Sequence, residues 1–130
     1  MSGKYAFGKT VKLSYAQAID KATQALAKEG FGVLTTIDVA ATLKKKLGKE
    51  TRPYMILGAC NPEFAHRALE AEPEIGVLLP CNVVVREEES GSIRVDIMDP
   101  QAVLQLVDRP EIGAIARDVR ERLERVLAEL

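Results

Sequence analysis

The sequence predicts an α+β fold, a two-layer sandwich with one mixed five-stranded sheet covered by helices. Three observations carry this. Short aliphatic and β-branched runs alternate with longer stretches of helical spacing three times in succession. A polar, glycine-containing turn from Glu87 to Ser92 then joins two runs of strand character, and two amphipathic stretches close the chain. The order is β-α-β-α-β-α-β-β-α-α. The 130 residues are read as a single domain over 1–130, long enough for one core that buries roughly two-thirds of the unfolded surface.

Tyr5, Phe7, Val11 and Leu13 alternate with smaller or polar residues and predict a first strand ending at Leu13. Ser14 followed by Gln17 is a capping box, and Ala18, Ile19, Ala22, Ala25 and Leu26 form the apolar face of the helix it starts. Gly30 stops that helix. Phe31 to Ile37 is β-branched and reads as the second strand. Asp38 caps a second helix with Val39, Leu43 and Leu47 on one stripe, and Gly48 stops it. Tyr54 to Ala59 is short and nearly all apolar, as in a strand covered on both faces. Asn61 caps the third helix, with Pro62 in its first position, where a missing N–H matters least.

Ile75 to Arg86 reads as a long fourth strand interrupted by Pro80, which marks a bulge, a bend or an edge. Ile93, Val95 and Ile97 alternate with Arg94 and Asp96 in a half-exposed fifth strand. Asp99–Pro100 opens a short helix, and after Arg109–Pro110 the apolar positions from Ile112 to Leu127 recur at helical spacing. Strands joined through a helix are expected to run parallel, with the hairpin adding one antiparallel strand. That topology would gather Ser14, Asp38 and Asn61, each at a helix N-terminus, along one sheet edge.

Composition narrows the function classes. A net charge of −1 lacks the basic excess of a general nucleic-acid binder, and Lys44–Lys45–Lys46 reads as a solvated helix face. No run approaches the roughly 20 apolar residues of a membrane span, and Met1–Ser2–Gly3–Lys4 has no leader character. The expected location is cytoplasmic, where Cys60 and Cys81 stay reduced. The absence of Trp and the abundance of Arg and Glu fit a thermophile-like composition.

Chemistry concentrates in Ile56–Leu57–Gly58–Ala59–Cys60–Asn61–Pro62 and its echo Leu78–Leu79–Pro80–Cys81–Asn82–Val83. These hold the two cysteines of the chain, and the single histidine, His66, follows the first. Cys60 directly precedes a helix cap, a place where the helix field favours thiolate. The expected ligand-binding set is Asp38, Cys60, Asn61, Pro80, Cys81 and Asn82, holding a soft metal, a sulfur species or a small anionic ligand. For a metal, Cys60, Cys81 and His66 are the soft donors, with a fourth ligand from water, Asp38 or a second subunit. A thiol enzyme with Cys60 as nucleophile is the alternative, although neither an orienting third group nor an oxyanion hole is legible. Glu87–Glu88–Glu89 reads as a solvated loop. A third alternative is an interaction protein that dimerises through its last helix. The identity of any cofactor is not legible in the sequence.

At these residues the chain resembles the family called domain of unknown function 302. The resemblance covers essentially the whole chain and rests on Gly30–Phe31–Gly32–Val33, Ile37–Asp38, Ile56–Leu57–Gly58–Ala59–Cys60–Asn61–Pro62, Leu78–Leu79–Pro80–Cys81–Asn82–Val83–Val84–Val85 and Asp99–Pro100. The paired Gly-Ala-Cys-Asn-Pro and Leu-Pro-Cys-Asn-Val motifs resemble one branch, since other members carry Gly-Asn-Pro without the cysteine. The resemblance implies a small α/β domain, a homodimer and no assigned activity. Two Cys-Asn pairs within one branch suggest a shared site.

Overall fold

Helix boundaries form where short polar side chains and glycines place them. The computed structural model of the protein describes residues 4–130; Met1, Ser2 and Gly3, within the stretch tested for leader character, lie outside the described residues. Ser14 Oγ accepts from the Gln17 N–H at 3.1 Å and Gln17 Oε1 accepts from the Ser14 N–H at 3.0 Å, completing the box that opens α1 (Tyr15–Lys28). Asp38 Oδ1 accepts from the Ala41 N–H at 2.9 Å and opens α2 (Val39–Leu47). Asn61 Oδ1 accepts from the Phe64 N–H at 3.3 Å and opens α3 (Pro62–Ala71). Asp99 Oδ1 does the same from Gln101 at 3.0 Å for α4 (Pro100–Leu104). The last helix, α5 (Pro110–Ala128), starts on a proline without a side-chain cap. Gly30 and Gly48 adopt φ of 84° and 67° at the two helix ends where glycine was expected.

The five strands are β1 (Ala6–Val11), β2 (Gly32–Asp38), β3 (Tyr54–Cys60), β4 (Cys81–Glu87) and β5 (Ile93–Met98). They form one sheet in the order β1-β5-β4-β3-β2. The α+β class and the element order are as the sequence predicts. The expected mixed sheet is corrected, because all four neighbouring pairs are antiparallel. The physical reason is that α2 and α3 do not carry the chain along the sheet. Asp38 pairs with Met55 and Ala59 pairs with Cys81, so each connection leaves and re-enters at the same sheet end. These helices act as long hairpin connections. The long fourth strand is also shortened: Pro73–Leu78 forms a 3₁₀ turn, and the ladder begins only after Pro80, which has no N–H to donate. The Leu79–Pro80 peptide is cis.

Side-chain alternation sorts the sheet into two faces. Ile93, Val95 and Ile97 are buried while Arg94, Asp96 and Met98 between them are half-buried. The buried face continues through Val83, Val85, Leu57 and Ala59 and is covered by α1, with α5 packed beside α1 and closing over the cysteine end. Ala18, Ala22 and Leu26 of α1 meet Ile112, Ile115, Val119 and Leu123 of α5 in one cluster. Each fully buried Leu or Ile in this cluster contributes about 1.5–3 kcal/mol relative to exposure. Among the described residues, no helix is long and apolar enough to cross a membrane.

Candidate functional site

The antiparallel register decides which candidates meet. Cys60 ends β3 opposite Gly32, and Cys81 begins β4 opposite Ala59, so the two cysteines lie at one end of the sheet. There the backbone turns into α3 beneath α5, and a cavity of about 350 Å³ opens. Cys60, Asn61, Pro80 and Cys81 all line it. Its remaining walls are mainly apolar, with Phe31, Phe64, Leu79, Leu104 and Val119 prominent. Leu34 and Leu69 are 67% and 42% exposed at its margin, which marks where it meets solvent.

Three predicted site residues, Asp38, Asn82 and His66, lie elsewhere, as does the Ser14 cap. Asp38 sits at the opposite sheet end, because β2 runs antiparallel to β3 and only Gly32 faces Cys60. Ser14 follows β1 at that same distant end, since Val11 and Glu87 both pair with Ile93. The single edge carrying Ser14, Asp38 and Asn61 is therefore corrected. Asn82 follows Cys81 in β4, so alternation turns it to the opposite face, where it lines a different cavity. His66 does not line the cysteine cavity; its imidazole Nε2 lies 2.9 Å from Glu70 Oε1 on the exposed side of α3. Among the described residues, no group of three His, Cys, Asp or Glu side chains converges as a metal would require.

Several side chains hold the walls in place. Phe64 is flanked by the guanidiniums of Arg122 and Arg67, 5.1 and 5.4 Å from the ring centroid. Arg122 Nη1 also donates to the Glu29 carbonyl at 3.0 Å, tying α5 to the end of α1. Asn61 is only 9% exposed. Its amide packs against Gly30, where a Cβ would come within 2.9 Å of Asn61 Nδ2. Gly58 allows the other approach: a Cβ there would overlap Thr35 Oγ1 and lie 3.0 Å from Pro80 Cγ. Thus both glycines are needed where they stand, for close packing as well as for turning.

Electrostatics at the cysteines run against the expectation of a thiolate. Burial pushes the Cys60 thiol up from its ordinary value. Cys81 is pushed up to about 12, first by burial and then by the charge of Cys60. Two features of the chain weaken the helix field at Cys60. The Asn61 side-chain oxygen Oδ1 already accepts from one of the free N–H groups, that of Phe64, and Glu63 adds a negative charge in the first turn. Both sulfurs are therefore protonated thiols at neutral pH. Both residues line the same mainly apolar cavity.

The sequence pointed to Cys60, Asn61, Pro80 and Cys81 but not to the rest of the enclosure. Leu104 and Val119 come from the far end of the chain, and their only signal was a generic amphipathic stripe.

The comparisons with known proteins agree with this fold. The family model described as domain of unknown function DUF302 matches residues 7–130. A solved structure from Bacillus stearothermophilus, described as an uncharacterized conserved protein DUF302, is similar with a TM-score of 0.90 and 29% sequence identity, covering 98% of both chains. No curated protein matches the chain. With the family model spanning nearly all of the sequence, the chain belongs to the DUF302 family.

Proposed function

We propose that the protein is a binding module for a small, largely apolar molecule held in the cavity at the Cys60–Cys81 end of the sheet. The observation that carries this reading is the pairing of two protonated thiols with otherwise mainly apolar walls in a cavity of about 350 Å³. Cavities of this size and lining are typical of small-ligand sites. An anion would lose its hydration there without a cation to replace it, so of the ligand classes read from the sequence a sulfur species fits best, in the form of a neutral sulfur-bearing molecule. Cys60 and Cys81 supply polarizable contacts, and Asn61 supplies a polar edge.

The upward shift of Cys60 speaks against a thiolate nucleophile and so against the enzyme reading. A soft metal is the second reading, favoured by two soft sulfur donors lining one cavity. A two-coordinate copper(I) ion between the two sulfurs suits soft ligands better than a zinc site built with His66. The cytoplasm, where both thiols stay reduced, is the proposed location, and a homodimer the proposed assembly. The testing experiment is native mass spectrometry with elemental analysis of purified wild type and Cys60→Ser. A co-purifying organic mass that is lost with cavity-filling Ala65→Leu supports the first reading. Stoichiometric copper lost with Cys60→Ser would replace it with the second.

A further inference from the structure

The face of the sheet opposite the core carries a second cavity, of about 380 Å³. Arg86 and Arg94 line it and stand directly opposite each other in the β4–β5 ladder. Like charges in that position repel, so their retention needs a counter-charge. Asp96 provides one: the Arg94 Nε lies 2.8 Å from Asp96 Oδ1 and the Arg86 Nε lies 3.1 Å from Asp96 Oδ2.

The compensation is incomplete. Two guanidiniums share one carboxylate, and no other charged residue lines the cavity among the described residues. Each arginine reaches Asp96 through Nε, and among the described residues neither terminal Nη group has a hydrogen-bond partner. Arg94 is the more sheltered of the two, its side chain 19% exposed against 33% for Arg86, and the unpartnered Nη groups of both stay open to solvent and so to an incoming anion. The arrangement is also seated from below. Gly8 pairs with Asp96, and a Cβ on Gly8 would come 2.5 Å from Asp96 Oδ1, so the carboxylate occupies space that any larger residue would take. Tyr54, opposite Arg86, adds an aromatic ring to the cavity wall.

We infer that this cavity binds an organic oxyanion, a phosphate or carboxylate carried on an aromatic or apolar body. Paired guanidiniums present planar forks that match such groups. Asp96 holds both forks in place and limits their net charge, and Tyr54 packs against the organic part. The site is separate from the cysteine cavity and does not depend on it.

The test follows the arginine Nε–H resonances by ¹⁵N NMR while phenyl phosphate or benzoate is added, with benzyl alcohol as the uncharged control. Saturable shifts of the Arg86 and Arg94 signals with either anion, and none with benzyl alcohol, are expected; the stronger anion identifies the headgroup. Arg86→Gln and Arg94→Gln should each weaken binding of either anion about tenfold or more. Thermal melts verify that each variant folds, and the wild-type titration decides alone if one does not. Absent or non-saturating shifts up to about 20 mM, a concentration beyond millimolar affinity, would overturn the inference. So would light scattering in which Arg94→Gln dissociates a dimer while the anions leave the wild-type spectrum unmoved, since the face would then be a contact between copies.

Discussion

Ala59 and Cys81 face each other across the β3–β4 ladder, and this pairing brings both cysteines to the same end of the sheet. The two Cys-Asn motifs lie about twenty residues apart in the chain, separated by α3 and a 3₁₀ turn. The antiparallel return, rather than a parallel crossover, closes that gap. It also separates Asp38 from the site.

The cap at Asn61 and the cap at Asp38 should therefore behave differently when removed. Asp38→Ala removes an exposed cap and should cost about 1 kcal/mol, leaving the cysteines unaffected. Asn61→Ala removes a buried one and strands the Phe64 N–H, so about 2 kcal/mol or more is expected. Urea unfolding with parallel thiol labelling checks both: only Asn61→Ala should alter Cys60 reactivity.

Gly58→Ala should be destabilising although alanine suits a strand better. Its Cβ would overlap Thr35 Oγ1 and press on Pro80, and overpacking of this kind costs about 1–3 kcal/mol. In a double-mutant cycle Thr35→Ala should recover part of the loss. An additive cycle would show that Thr35 is not the obstacle.

The raised Cys81 thiol has a consequence for stability at high pH. The native state favours the protonated thiol more than the unfolded chain does, so its contribution is complete below the unfolded value and is lost as pH rises toward about 12. Between about pH 8 and about pH 11, wild type should lose more stability than Cys81→Ala. Denaturant midpoints across that range provide the comparison.

Native alkylation should separate the two thiols. Cys60 is half-buried and Cys81 buried, so iodoacetamide should label Cys60 first, with an apparent pKa above the free-thiol value of about 8.5. A value well below it, measured by mass spectrometry of the labelled peptide, would restore the nucleophile reading.

Local chemistry was legible in the sequence and long-range geometry was not. Ser14, Asp38, Asn61 and Asp99 cap the helices where their side chains predict it, because a cap is decided within one helical turn. Strand direction was not legible, since a helix between two strands does not say whether the chain returns to the same end. Alternation would have separated Cys81 from Asn82, because neighbouring residues of a strand face opposite ways. The expectation that Cys60 is thiolate considered the helix field without the apolar cavity. That cavity is formed partly by α4 and α5, whose packing no local pattern specifies.

The most direct measurement of the central claim is a ¹⁵N chemical-shift titration of the protein with thioanisole, a small apolar sulfur-bearing probe. Saturable shifts centred on the amides of Cys60, Asn61, Phe64 and Cys81, abolished in Ala65→Leu, are the predicted result. Shifts that do not saturate, or that persist unchanged in Ala65→Leu, would contradict a ligand site at the cysteine end of the sheet.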